Sequence, residues 1–217
     1  MENLRKEMLS RWNSDGWEYD SVAAHGINDE DDRTRWQKIL MNHKKELLLD
    51  VGTGTGFLSI LASEIGLITT GADWSETMLS QARQKAEQKN LAVNFVQGNI
   101  ESLPFTDQSF DLITSRHVIW TLADPLEAFK EWLRLLKPGG VLYADYSPRK
   151  GNSHHGHHYD IEVEKKLPLN ADVPAQQIEN LFASAGFSRT SYDVLERKIS
   201  HGDHTHTKEL FMFTCVK

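Results

Sequence analysis

Short apolar runs alternate along the chain with segments whose apolar residues recur every three or four positions. Residues 47–51, Leu-Leu-Leu-Asp-Val, form a continuous apolar run, the mark of a strand buried on both faces. Phe57, Leu58, Ile60, Leu61 and Ile65 then fall at helical spacing, and Gly66 ends that helix. Residues 68–73 predict a second strand. Ser75 predicts the N-cap of a helix that carries Met78, Leu79, Ala82 and Ala86 and ends near Asn90. Residues 93–96 and 110–114 predict the third and fourth strands. Leu126, Phe129, Trp132, Leu133 and Leu136 mark one face of the next helix, with Phe129 and Trp132 expected in the core. Lys137-Pro138-Gly139-Gly140 predicts a turn that stops it. Residues 141–146 predict strand five. Asp172 is the expected cap of a last helix, with Pro174 in its first turn, Ile178, Leu181 and Phe182 on one face, and Gly186 closing it. Residues 187–196 and 210–216 predict two final strands with no helix between them. Five or six βα units followed by a hairpin imply an α/β fold, a doubly wound sheet with one antiparallel strand. Residues 1–45 are polar and mixed, and predict one or two helices as a cap.

Composition narrows the class. The chain has 217 residues and a formal charge of -7, with 39% hydrophobic and 25% charged residues. That length suits a single domain with a sizeable core, divided here into a cap (1–45), a sheet core (46–147) and a closing part (148–217). No apolar run approaches the ~18–20 residues of a membrane span. The first residues are charged and lack the apolar core of a signal peptide, so the expected location is cytoplasmic. The single Cys215 excludes a disulfide scaffold within the chain and a Cys-rich zinc site. Net negative charge argues against non-specific binding to nucleic acid.

The turn after the first strand reads Gly52-Thr53-Gly54-Thr55-Gly56. A strand, a glycine turn and a helix N-terminus together build a ligand site in open α/β sheets. The dinucleotide fingerprint wants a third glycine where Phe57 stands. Asp50, just inside the turn, would repel a pyrophosphate but suits a cationic amino group. Asp73 ends the second strand, where a carboxylate can accept hydrogen bonds from ribose hydroxyls. Trp74 follows, with a surface that suits an adenine face. Asn99, after the third strand, offers a donor and an acceptor for an adenine edge.

These residues resemble the motifs of class I S-adenosylmethionine-dependent methyltransferases. Residues 49–56, Leu-Asp-Val-Gly-Thr-Gly-Thr-Gly, resemble the family's cofactor motif, and residues 71–79, Gly-Ala-Asp-Trp-Ser-Glu-Thr-Met-Leu, its second. Residues 98–105 with Ser109-Phe110-Asp111 resemble the third, and residues 136–140 the turn before strand five. The match is closest to the small-molecule branch that includes ubiquinone-type methyltransferases. Two departures stand out: Asn99 replaces the usual Asp, and Trp74 is bulkier than the common residue.

The resemblance implies a seven-stranded sheet of order 3-2-1-4-5-7-6, with S-adenosylmethionine as cofactor and a small-molecule acceptor. Gly52, Thr53 and Gly54 would lie at the methionyl part, Asp73 at the ribose, and Asn99 with the Ile100 backbone at the adenine. Arg116 would lie near the sulfonium, and Tyr19, followed by Asp20, would reach the methionyl carboxylate. In that branch the N-terminal cap walls the acceptor pocket, so Trp12, Trp17 and Trp36 either do this or simply pack the cap on the sheet.

His117 follows strand four on the cofactor side and is either a general base or a polar lining residue. Ser115-Arg116-His117-Val118 stands where amino-methylating nucleic-acid enzymes of this fold carry Asn/Asp-Pro-Pro-aromatic, which favours a small acceptor. Of ten histidines, seven fall in two clusters: His154, His155, His157 and His158, and then His201, His204 and His206. The topology is expected to bring both loops over the acceptor site. They act as solvated polar loops, as a lid over an anionic or metal-bearing acceptor, or as a Zn or Ni site built from residues such as His154, His157, His204 and His206. Two rival functions remain at this level. One is a nicotinamide-dependent oxidoreductase, disfavoured by Phe57 and Asp50. The other is a non-catalytic cofactor binder or His-mediated metal sensor.

Overall fold

The structure is a computed structural model that describes residues 2–14, 19–21, 30–44, 46–148, 161–170, 172–201 and 204–217. The strands are β1 (Leu47–Val51), β2 (Ile68–Asp73), β3 (Val93–Gln97), β4 (Phe110–Ser115), β5 (Leu136–Tyr146), β6 (Arg189–His201) and β7 (His204–Val216). They form one sheet of order β3-β2-β1-β4-β5-β7-β6. β7 alone runs antiparallel, pairing with β5 and β6. The expected order and the antiparallel last strand are both present. β1 lies between β2 and β4, so the chain reverses its direction of travel across the sheet beside β1. A crevice opens at the C-terminal ends of strands at such a point.

The helices are α1 (Glu2–Trp12), α2 (Glu30–Leu40), α3 (Phe57–Glu64), α4 (Glu76–Gln88), α5 (Pro125–Leu135), α6 (Ile161–Glu164) and α7 (Ala175–Ala185). Local chemistry starts several of them. Ser75 caps α4 by accepting the Met78 N–H at 3.3 Å, and Asp124 caps α5 with Pro125 at its first position. Gly186 ends α7 in the left-handed conformation. One face of the sheet packs on α5 and α7 through Phe129, Trp132, Phe182 and Phe213, with Phe129 and Phe182 stacked at 3.9 Å between ring centres. Phe129 and Trp132 are fully buried, as expected. The other face packs on α2 and α3 through Trp36, Leu40, Leu58 and Leu61.

Three local expectations are corrected. Residues 137–140 do not form a separate turn: β5 begins at Leu136 and carries them, with a register irregularity opposite β4. The backbone there is too crowded for a side chain, since a Cβ at Gly140 would lie 2.9 Å from the Asp111 carbonyl oxygen. Asp172 does not cap α7. Pro174 occupies the cap position in extended conformation without a side-chain hydrogen bond, and Asp172 lies two residues too early to reach the first turn. The last two strands are each 13 residues long, so His201, His204 and His206 stand in a paired hairpin rather than a loop. Backbone pairing between two strands does not require apolar side chains, so polar residues extend the ladder past the predicted ends. The hairpin continues beyond the Tyr146–Phe211 pair, at the C-terminal end of β5. Trp17, His154, His155, His157 and His158 lie outside the described residues. Among those described, no helix is long and apolar enough to cross a membrane.

Phe182→Ala leaves a cavity beside three other aromatic rings and is expected to lower stability by roughly 3–5 kcal/mol, measured as a fall in the urea midpoint at unchanged slope.

Candidate functional site

The glycine turn after β1 is shaped by one buried carboxylate. Asp50 Oδ2 accepts from the Thr53 hydroxyl at 2.7 Å, from the Ser59 N–H at 3.1 Å and from the Ser59 hydroxyl at 3.0 Å. Its Oδ1 accepts from the Thr114 hydroxyl at 3.0 Å. Burial pushes its carboxyl above the ordinary range, while these donors pull the other way. Asp50 and Thr53 therefore fasten the turn to α3 and β4. Gly52 turns with φ +68°, and a Cβ there would lie 2.4 Å from Val118 Cγ2. Gly54, at φ +53°, has open space where a Cβ would stand, and its N–H donates to Asp73 Oδ2 at 2.9 Å.

A cleft opens against this turn. Gly52, Gly54, Asp73, Trp74, Asn99 and Ile100 line one part of it, and Tyr19, Arg116 and His117 another. The expected site residues thus meet, with Asp50 and Thr53 behind the wall. Asp73 also accepts the Ser75 N–H through Oδ1 at 2.9 Å, and burial raises its carboxyl to about 6. Trp74 is held by its carbonyl, which accepts from Gln97 Nε2 at 3.0 Å. Asn99 uses one lone pair of its side-chain oxygen on the Glu101 N–H at 3.1 Å. Trp12 joins the cleft wall, whereas Trp36 is buried in the core between α2 and α3.

Three carboxylates at the site were not singled out from the sequence. Asp32, from α2, accepts from Arg116 Nε at 3.0 Å and Nη2 at 2.8 Å, and also pairs with Arg35. Arg116 also lies over the Phe57 ring, 3.9 Å from its centre. Asp145, in β5, accepts the His117 N–H at 2.5 Å through Oδ1 and lies 3.2 Å from His117 Nδ1 through Oδ2. His117 Nε2 lies 3.6 Å from Asp32 Oδ2. Glu101 accepts from the N–H groups of Ala123 and Asp124 and pairs with Arg5 of α1. The one sequence signal was Asp145 at the end of strand five, where a charge in an apolar run asks for a partner.

The cap is pinned over the cleft at further points. Asp20, beside Tyr19, accepts from the Thr55 hydroxyl at 2.6 Å and pairs with Lys85. The Ser75 hydroxyl is 2.9 Å from the Trp12 carbonyl and 2.7 Å from Asn13 Oδ1. Among the described residues, no group of three or more His, Cys, Asp or Glu is placed to hold a metal ion.

Residues 49–144, which span β1 to most of β5, match the family model described as a methyltransferase domain. This segment is similar to a methyltransferase domain. Within it fall the glycine turn, Asp73, Asn99 and the Arg116-His117 pair. The chain is 33% identical over 147 residues to a ubiquinone biosynthesis O-methyltransferase of Coxiella burnetii, covering 65% of this chain and 62% of the relative. It is 33% identical over 141 residues to a demethylmenaquinone methyltransferase of Thermus thermophilus, covering 62% and 64%. The matched segments thus span about three fifths of these relatives' length. An S-adenosylmethionine-dependent methyltransferase of Aquifex aeolicus has the same fold, with a TM-score of 0.60 at 20% identity over 85% of this chain and 89% of that one. The matched segment ends in β5, so α7 and the β6–β7 hairpin complete the sheet from outside it.

Gly52→Ala in this domain meets both an unfavourable φ and the Val118 side chain. It is expected to lower the melting temperature by several degrees, and adding Val118→Ala should recover part of that loss by removing the clash alone.

Proposed function

We propose that the chain transfers a methyl group from S-adenosylmethionine to a small-molecule acceptor in the cytoplasm. The observation that carries this reading is the buried Asp73 carboxylate on the cleft wall beside the open face of Gly54. A carboxylate raised to about 6 by burial gains from hydroxyl donors such as those of a ribose. The residues present fit the cofactor in their chemistry. The cleft wall combines polar groups with the flat surfaces of Trp74 and Trp12.

Asp73 would hold the ribose, Asn99 with the Ile100 backbone the adenine, and Gly52, Gly54 and Tyr19 the methionyl part. Asp50 and Thr53 support that arrangement by shaping the turn. Arg116, held by Asp32, and His117 form the wall toward the acceptor. When bound, the cofactor supplies a methyl group activated by a sulfonium. The chain's part is to align the acceptor with that group and exclude water, which the cap helices serve. In this reading His117 lines the acceptor side of the cleft. The similarity to quinone-pathway methyltransferases supports a small acceptor over nucleic acid.

Calorimetry with S-adenosylhomocysteine and with NAD separates this reading from a nicotinamide enzyme. Binding of the first alone is expected; binding of NAD alone would sink the proposal. The affinity should also follow Asp73 ionisation. Above about pH 6 the carboxylate is charged and accepts ribose hydroxyls. Below that pH it is protonated, and affinity should fall by up to about tenfold per pH unit. Asp73→Asn should bind more weakly and show a flatter dependence over the same range.

A further inference from the structure

Asn99 lines the cleft from a turn that fixes its side chain. Its side-chain oxygen accepts the Glu101 N–H at 3.1 Å, and its carbonyl accepts the Ser102 N–H at 2.8 Å. The residues that follow are anchored separately. Glu101 accepts the N–H groups of Ala123 and Asp124 at 2.8 and 3.1 Å, and Arg5 Nε donates to it at 2.9 Å. The Leu103 N–H donates to the Glu131 carboxylate at 2.8 Å, and the Trp132 indole donates to the Ile100 carbonyl at 2.8 Å. The turn is thus held from α1 and from α5, and the place of the Glu101 N–H is set by contacts that do not involve Asn99.

The orientation of the Asn99 amide follows from that turn. A backbone N–H can be met only by an acceptor, and the amide carries its acceptor oxygen and its donor nitrogen on opposite sides. With the oxygen on Glu101, the NH2 group is the part of the side chain left for a ligand. Turning the amide over would set that NH2 against the Glu101 N–H, donor against donor. An aspartate in the same turn would differ at one point only. One of its oxygens would meet the Glu101 N–H, and the other would offer a ligand a second acceptor in place of a donor.

Resting on the methyltransferase reading above, which puts the adenine at Asn99, we infer that Asn99 is a specificity-determining residue that donates to the base edge, so that the site accepts a 6-oxopurine cofactor as well as the 6-amino form. An adenine edge offers one acceptor, N1, beside its amino group. A hypoxanthine edge offers O6 where that amino group stood. The Asn99 NH2 can donate to either acceptor. A carboxylate in its place could pair only with the amino group and would be repelled by O6. The discrimination that a purine site usually draws from an acceptor aimed at the amino group is therefore weakened in this chain.

The test is calorimetry on the full chain with S-adenosylhomocysteine and with S-inosylhomocysteine, which differs only in carrying the 6-oxo group. The wild type is expected to bind the two with affinities within about tenfold of each other. Asn99→Asp keeps an oxygen for the Glu101 N–H and replaces the donor by an acceptor. In that variant the ratio should move by about tenfold or more in favour of S-adenosylhomocysteine, chiefly through weaker binding of the 6-oxo compound. A purely structural role for Asn99 would change both affinities together and leave the ratio where it was. A wild-type preference for S-adenosylhomocysteine beyond about tenfold, or a ratio that Asn99→Asp moves by less than about tenfold, would overturn the inference. Should Asn99→Asp not fold, the wild-type ratio decides it. Binding of neither compound by the wild type would count against the methyltransferase reading itself, and the inference would fall with it.

Discussion

The Asp50 carboxylate sits where β1 ends, out of contact with water, and is surrounded by hydroxyl and amide donors from three segments. Burying a charge without partners is costly, whereas burying it among good donors is tolerated and makes their positions interdependent. Thr53 lies in the turn, Ser59 in α3 and Thr114 in β4, so one side chain ties the turn to the helix and strand that flank it. The rest of the cleft depends on that tie. Only with the turn in this shape does the Gly54 N–H point to Asp73, and only then does Gly52 pass Val118 without a clash.

The opposite wall comes from the beginning of the chain, and its attachments differ in kind. Partly exposed pairs such as Arg5–Glu101 and Lys85–Asp20 contribute modestly, because water competes for the exposed partner. Arg116–Asp32 is different, since both side chains are almost completely buried. Such a pair gives little net stability over an apolar substitute, but loss of either partner leaves a bare charge inside the protein. It therefore acts as a registration device, fixing α2 against the end of β4 and placing a second carboxylate beside His117. Cap and sheet thus meet at the cleft, where Trp12 and Tyr19 of the cap and Arg116 at the end of β4 share its lining.

The sheet was legible because its signals are local. Unbroken apolar runs marked parallel strands, helical periodicity marked the connections, and Ser75 and Gly186 marked ends where orphan backbone groups need satisfying. The expectations that failed were those that depended on a neighbour. Residues 137–140 look like a turn by composition, yet they lie within β5, where the pairing with β4 steps from Leu136 to Val141 and the Gly140 backbone comes close to Asp111. The polar stretch around His201 to His206 looks like a loop, yet the partner strand extends through it. Asp172 resembles a cap, but Pro174 sets the helix start two residues later. At the site, Gly52, Gly54, Asp73, Asn99 and His117 were legible from motif spacing. Asp32, Glu101 and Asp145 were not, because a carboxylate in a helix, a loop or a strand end looks alike in sequence whether it faces solvent or a cation.

The strand order was implied by the family resemblance; by itself the sequence determined the succession of strands and helices and the place of the glycine turn. Those features follow from periodicity and from the short-range demands of glycine turns and helix ends, which are written within a few residues. Tertiary structure decided which charges are paired. Asp32 and Arg116 are 84 residues apart, and Asp145 lies 28 residues from His117. Such contacts depend on how the sheet brings distant segments together. Asp50 shows the division within one residue. Its position in the motif was readable from the chain, but its work as the fastener of the turn appeared only with Thr53, Ser59 and Thr114 in place, because a buried carboxylate takes its role from its donors.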